Sequence, residues 1–455
     1  MVVGDLETAV EVVILGAGPG GYVAAIRAAQ LGKDVAIIDP GPLGGTCLNV
    51  GCIPSKALLT AAGRFDQLAG LAEMGIHVSH PKLDLGQTQR WKEGIVSQLS
   101  RGVQHLLDKN EVQIYGGKGW FIGPKGLRVE GEHGSQRFSF EQCIIAVGAE
   151  PAPWPGLPFD GQRVLTSSQA LALTERPKDI VIIGADYIAA ELATFFAKIE
   201  VPVRLLIPEG ETLLAAFDPA AARQVRARFK KLGVTVEAKV ADPVTAVAEA
   251  TLVVVSTGLV PRTQALDLVQ VGVESDAAGF IPVNDCMQSS NPAIYAVGDV
   301  TGGLPLATLA IKQAKVAAEH LAGRPAQYAP QAIPQVAWTD PPLAAVGLTA
   351  DEAQAVGYEV VTARFPLAAN GRAMTLKAGE GFALVVAEQG SEVLLGVTLV
   401  GAGAEILISE AALALEMGAT LTDLAETLHP HPGLGEPLQE AAEAALGWPV
   451  HVLKG

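Results

Sequence analysis

Glu11-Val-Val-Ile-Leu-Gly-Ala-Gly-Pro-Gly-Gly21 decides how the chain begins to fold. An apolar run over Val10–Leu15 predicts a buried strand, and glycines at Gly16, Gly18 and Gly21 follow it in G-x-G-x-x-G spacing. The first glycine permits a tight turn, the second lets backbone approach a pyrophosphate, and the third lets a helix pack against the strand. The helix is predicted over Tyr22–Leu31 and is closed by Gly32. A second strand, Asp34–Ile38, ends at Asp39, an acid placed to hydrogen-bond a ribose hydroxyl. Glycines alone decide little. Strand, glycines, helix, strand and acid in that order predict a βαβ dinucleotide unit.

A second such unit starts at Asp179-Ile-Val-Ile-Ile-Gly-Ala-Asp-Tyr-Ile-Ala-Ala-Glu191. Gly184 holds the first glycine position, Asp186 the second and Ala189 the third. A carboxylate at the second position adds bulk and like charge where a pyrophosphate should lie. The count that puts Asp39 in the first unit puts Ile207 in the second, and Ile207 cannot bind a ribose. Two readings stay open: an adjusted or weakened nucleotide site, or a retained fold without nucleotide binding. Strands alternating with helices through both units give an α/β fold class with two doubly wound sheets.

Between these units runs Gly44-Gly-Thr-Cys-Leu-Asn-Val-Gly-Cys-Ile-Pro-Ser-Lys56. Cys47 and Cys52 are five residues apart in a Gly-rich loop, a spacing that lets the two sulfurs meet. Helix-forming sequence follows from Lys56, so Cys52 lies near a helix N-terminus, where free N–H groups stabilise a thiolate. A thiol of low pKa beside a partner thiol has the chemistry of a redox disulfide. A structural disulfide fits poorly with four cysteines and no secretory signal, and a zinc site lacks two further ligands nearby.

This loop resembles the active-site disulfide of the pyridine nucleotide–disulfide oxidoreductases, and within that family it is most similar to the dihydrolipoamide dehydrogenases. Pro19-Gly-Gly-Tyr-Val-Ala-Ala-Ile-Arg-Ala-Ala-Gln-Leu-Gly32 carries the same resemblance. It implies FAD in the first site, with Gly45, Thr46, Lys56 and Gly117 also facing the flavin nucleotide. Tyr295-Ala-Val-Gly-Asp-Val300 matches the family's second flavin motif, which implies Asp299 on the ribityl chain. Leu306, Ala307 and Thr308 would approach the flavin ring, although the family usually has His at the Thr308 position and Lys at Leu309. Gly148 closes a strand–turn in which Val147 replaces the usual Thr.

The resemblance gives the second site to NAD, with Gly184, Glu191 and Gly258 as its candidate positions. It also pairs Glu191 with Lys56 beside the flavin. The segment His429-Pro-His-Pro-Gly-Leu-Gly-Glu436 resembles the family's acid–base motif. It implies His431 as the proton acceptor of a dithiol and Glu436 as the group that orients it. Gly433 and Gly435 stand where the family has Thr and Ser, which suggests a looser loop. A metal site at His-x-His and a purely packing role for the histidines are the competing readings.

Ile333-Pro-Gln-Val-Ala-Trp-Thr-Asp-Pro-Pro342 opens what resembles the family's α+β dimerisation domain, and Glu405–Thr420 reads as an amphipathic helix with a glycine stop. The implied layout is an FAD-binding part over 1–150, a nicotinamide-type domain over 151–269, a second FAD part over 270–332 and the dimerisation domain over 333–455.

Composition bounds the rest. The 455 residues are 49% hydrophobic, with 32 basic and 48 acidic side chains and a net charge of −16. That balance argues against nucleic acid as a partner. No run of about 20 apolar residues predicts a membrane span, and no targeting peptide precedes the first strand, so a cytoplasmic enzyme is expected. Cys143 and Cys286 read as buried small hydrophobes.

The resulting expectation is a homodimeric, FAD-dependent oxidation of dihydrolipoamide, or another small dithiol, with NAD as acceptor. The enzyme would serve on the acyltransferase core of a 2-oxo acid dehydrogenase complex. The alternatives are a divergent disulfide reductase, or a redox-sensing homologue with weak or lost nicotinamide binding. Mercuric reduction fits less well, because the tail Val452-Leu-Lys-Gly455 lacks a cysteine pair.

Overall fold

A computed structural model describes residues 7–132 and 134–453. The strand Glu7–Leu15 pairs in parallel with Val35–Asp39 on one side and with Gly134–Ile145 on the other. Its last residues are almost wholly buried, as a strand covered on both faces requires. The helix Pro19–Gln30 crosses between the two parallel strands. It packs small residues, Ala24, Ala25 and Ala28, against Ala314, Ala317 and Ala318 of the helix Ala307–Leu321. Arg27 and Glu319 pin the two helices together at 2.6 Å.

The strand Ile294–Ala296 also joins this sheet, pairing with Gly134–Ile145. The first sheet is thus assembled from chain on both sides of the second unit. That unit holds five strands in the order Thr235–Val240, Val203–Pro208, Ile180–Ile183, Val253–Val255 and Val164–Thr166. A short antiparallel pair, Ala149–Pro151 with Leu259–Pro261, links the entry and exit of this insertion.

The C-terminal part is a five-stranded sheet with every pairing antiparallel, running from Gln335–Ala337 to Val360–Pro366. The helices Ala404–Glu416 and Glu436–Ala445 cover one face of it and share a core with Val385, Val397 and Leu399. The expected helix thus ends just before Gly418, its glycine stop. Asp340 ties the three parts together. It accepts from Arg228 and Lys198 of the second unit, each at 2.9 Å, and Arg228 also reaches Asp66 of the first at 3.3 Å. Burial alone would raise the Asp340 carboxyl, but the two cations beside it hold it below its ordinary value.

Candidate active site

The redox loop differs in detail from the sequence expectation. Gly45–Asn49 forms a five-residue helix, and the next helix, Cys52–Gln67, begins at Cys52 itself rather than at Lys56. Pro54 fits inside this first turn because N–H groups there have no intrahelical partner. Cys47 and Cys52 are joined as a disulfide, with Cα atoms 4.6 Å apart. Cys47 is half-buried and Cys52 exposed, so a thiol can reach the bond.

One turn along the same helix, Lys56 meets Glu191 of the helix Tyr187–Lys198 at 2.7 Å. Glu191 is only 4% exposed and its oxygens are fully engaged: Ser55 Oγ also donates to Oε2 at 3.0 Å, and the Trp338 N–H donates to Oε1 at 3.0 Å. A buried carboxylate survives only when paired and hydrogen-bonded in this way. Lys56 also lies 5.9 Å from the Trp338 ring centre. Sequence reading missed Ser55 and Trp338, since a serine in isolation does not signal a charge-binding role and Trp338 contributes its backbone N–H, which no residue type reveals.

The first dinucleotide cradle is open. A Cβ placed on Gly18 would meet only the Gly45 Cα, at 3.9 Å, whereas a Cβ on Gly21 would collide with the Gly16 carbonyl at 1.8 Å. Gly18 caps the helix with no side chain, leaving its first N–H groups available to an anion. Asp39 accepts from the Ala17 N–H at 2.5 Å and the Gly41 N–H at 2.7 Å. Beside it lies a cleft of about 340 Å³ between Ala17, Tyr115 and Gln104. These features fit a flavin adenine dinucleotide.

The remaining candidates lie in turns and helix starts that follow strands of the first sheet or flank the redox loop. Gly117 donates to the Asp39 carbonyl at 3.0 Å, and Gly148 turns the chain after Gly134–Ile145 with open space beside it. Thr46 is exposed in the short helix with Gly45. Asp299 sits in the turn Gly298–Thr301, its carboxyl raised by burial and only partly offset by Arg262. Leu306 is the N-cap of the helix that Ala307 and Thr308 begin, and it makes no side-chain cap.

The second cradle is filled. Gly16 donates to Ile38 and Gly184 to Leu206 at the same step of each turn, at 2.8 and 3.0 Å. The parallel registers Leu15↔Ile38 and Ile183↔Leu206 make Ile207 the counterpart of Asp39, and Ile207 is 2% exposed. Asp186 caps the helix Tyr187–Lys198, accepting from the Ala189 N–H at 2.8 Å. Ser256 Oγ lies 3.0 Å from each of its oxygens. Burial pushes the Asp186 carboxyl up to about 6, against the lowering effect of those two donors, and Glu211 and Glu191 add to the rise. Tyr187 is raised by burial first, then by Glu191, Asp186 and Asp299. Gly258 has open space around it. Ser256 was not singled out from the sequence. Its signal is its register: it donates to Ile183 as Ala146 donates to Leu15.

In the C-terminal part, His431 is exposed, with 82% of its side chain open to solvent, and its Nδ1 lies 2.6 Å from Glu436 Oε1. A carboxylate only accepts, so Nδ1 carries the proton and Nε2 is left to take another. Burial alone would raise the Glu436 carboxyl, but the Gly433 N–H at 2.8 Å, His431 and Asn370 together hold it below its ordinary value. Gly433 and Gly435 serve a compact turn: a Cβ on the first would stand 2.3 Å from the Pro430 carbonyl, and on the second 2.9 Å from His429. Asn370, almost fully buried, donates to the Gly433 carbonyl at 2.9 Å and braces the loop.

The two histidines diverge. His429 is buried against Glu410 at 2.8 Å, so His-x-His does not converge on one point, and no cluster of three metal-ligating side chains occurs among the described residues. Cys143 is buried, its thiol pushed far up by desolvation, while Cys286 is only partly buried, which corrects the expectation for that residue.

Residues 10–314 match the family described as Pyridine nucleotide-disulphide oxidoreductase, and residues 333–442 match its dimerisation domain. This chain belongs to that family. Over its whole length it is 41% identical to a dihydrolipoyl dehydrogenase of Geobacillus stearothermophilus and 39% identical to one of Bacillus subtilis, each also covered in full. A dihydrolipoyl dehydrogenase of Halobacterium salinarum is 42% identical, again end to end. Among solved structures, LpdA from Mycobacterium tuberculosis superposes with a TM-score of 0.88 at 26% identity, covering 96% of this chain and 99% of that one. The protein is therefore an enzyme of disulfide oxidoreduction, with two Rossmann-type units and a dimerisation domain as the sequence led one to expect. No described helix is long and apolar enough to cross a membrane.

Proposed function

We propose that the protein is an FAD-dependent dihydrolipoyl dehydrogenase that withdraws an electron pair from a dihydrolipoyl dithiol through Cys47 and Cys52. The disulfide at a helix N-terminus, one turn from the Lys56–Glu191 pair, carries this reading. The end-to-end similarity to dihydrolipoyl dehydrogenases supports the choice of dithiol. His431 Nε2 takes a proton from the substrate, and Glu436 holds the imidazole in the tautomer that allows it. The substrate thiolate attacks Cys47 Sγ, the bond to Cys52 breaks, and Cys52 leaves as a thiolate stabilised by its helix N-terminus. The second substrate sulfur, deprotonated in turn, attacks the first. That closes the lipoyl disulfide and frees Cys47, leaving the enzyme two electrons richer.

Onward transfer of this electron pair is the chemistry that FAD would supply when bound. Gly16, Gly18, Gly21 and Asp39 would hold its adenosine and pyrophosphate. Gly45, Thr46, Lys56, Gly117, Gly148, Asp299, Leu306, Ala307 and Thr308 would lie along the rest of it. Glu191 fixes the position of the Lys56 ammonium. Gly184, Glu191 and Gly258 would face a nicotinamide nucleotide as final acceptor.

The active unit is a homodimer in which His431 serves the other subunit's disulfide. Its exposure supports this, as do Ile406, Leu413 and Met417, which stand 70%, 61% and 76% open along and just past the helix Ala404–Glu416. The acyltransferase core of a 2-oxo acid dehydrogenase complex is the proposed docking partner and the cytoplasm the proposed compartment, where an accessible disulfide is catalytic. The filled second cradle favours one further reading, a dithiol-oxidising flavoprotein or redox sensor with little nicotinamide binding.

Cys47→Ser is the test. Dihydrolipoamide added without oxygen should bleach the flavin of the native enzyme and leave that of the variant unchanged, with FAD retained in both. Equal bleaching in the two would refute the disulfide route.

A further inference from the structure

Helix Tyr187–Lys198 begins where a dinucleotide's pyrophosphate would take the first N–H groups of the second unit. Those groups already have an anion. The Asp186 carboxylate holds the Ala189 N–H and the Ser256 hydroxyl, so two donors turned toward the cradle are spent inside the protein. The first unit has no such contact. Its helix is capped by Gly18 without a side chain, and Ala146 offers a methyl where Ser256 offers a hydroxyl. Two positions that meet in space have therefore changed together in character, acceptor on one strand–helix turn and donor on the neighbouring strand.

The charges around Asp186 add to the barrier. Glu211 and Glu191 both act to raise the Asp186 carboxyl, and the Lys56 ammonium beside Glu191 is already paired with it at 2.7 Å. Glu211 belongs to the segment that folds over the turn, where Leu214 donates to the Ala185 carbonyl at 2.7 Å. The matching segment of the first unit, Pro40-Gly-Pro-Leu-Gly44, carries no acid.

We infer that Asp186 is a resident anion of the second dinucleotide site, and that a pyridine nucleotide binds only after displacing its carboxylate from the helix N-terminus. Asp186 is then the residue that sets nicotinamide affinity, with Ser256 holding it in place. The inference rests on the proposed reading of this site as the one that takes the final acceptor. It predicts weak binding of NAD and NADP alike, because the pyrophosphate is common to both.

The experiment titrates NAD+ and, separately, NADP+ into oxidised, FAD-loaded enzyme by calorimetry, so that no turnover intervenes. Asp186→Gly should bind the preferred nucleotide at least tenfold more tightly than the native enzyme. Asp186→Asn keeps a capping oxygen and removes the charge, so it should fall between them. It carries the test alone if the glycine variant loses its FAD or its cooperative melting. Equal affinity in native and variant enzymes, or binding to none of them, overturns the inference. Bleaching of the native flavin by dihydrolipoamide is read in parallel. It needs no nucleotide, so its failure would count against the proposed function and not against the role of Asp186.

Discussion

Two turns with the same backbone carry opposite chemistry. At Gly16–Gly21 the chain leaves a strand, turns and enters a helix whose N–H groups are bare. At Gly184–Ala189 it does the same with the same strand-to-strand bonds, yet the helix is capped from within by Asp186. The βαβ fold therefore does not by itself make a dinucleotide site. It makes a helix N-terminus aimed at one place, and a single residue decides whether a ligand or the protein supplies the anion.

The largest expected effect comes from copying the second site into the first. Gly18→Asp should lower FAD affinity by about 1000-fold, since a carboxylate would cap the helix and repel the pyrophosphate. Flavin absorbance per protein, with melting followed alongside, reads this directly. Full flavin content in the variant would break the comparison. The reverse exchange should not restore a ribose contact. Ile207→Glu would bury a charge at a position 2% exposed, and should cost about 3 kcal/mol in denaturant unfolding rather than create a binding site.

A smaller effect separates the two sites by pH. The Asp186 carboxyl is pushed up to about 6 in the folded protein, from an ordinary value of 3.8. The native state thus binds this proton more tightly than the unfolded chain. Its favourable contribution is complete below about pH 4 and is lost as pH rises through 6. Relative to Asp186→Asn, the native enzyme should lose roughly 1–3 kcal/mol between pH 4 and 7.5. Denaturant midpoints of the two proteins at both pH values supply the measurement, and a gap that does not change with pH would show the carboxyl is not so confined.

Much of this was legible in the chain. Periodicity and glycine spacing gave both βαβ units, and the Gly44–Lys56 stretch carried the disulfide by its resemblance. The count from Gly16 to Asp39 placed Ile207 correctly because parallel pairing fixes the register of successive strands. Other elements were not legible. The redox helix starts at Cys52, before the helix-forming run from Lys56, because a first turn has N–H groups without intrahelical partners and so accommodates Pro54. Cys286 reads as a core residue by its type but is only partly buried, because a cysteine's burial depends on what packs over it.

The sequence by itself determined the order of elements, the chemistry of the redox pair and the anomaly at Asp186, because these depend on residue type and short spacing. Tertiary structure alone decided what Asp186 does, since Ser256 lies 70 residues away and meets it only when Val253–Val255 lies beside Ile180–Ile183. It likewise decided that Glu191 is held at once by the neighbours Ser55 and Lys56 and by the Trp338 backbone N–H, from two stretches of the chain far from its own. A buried carboxylate takes its character from the donors that surround it, and only folding brings those donors together.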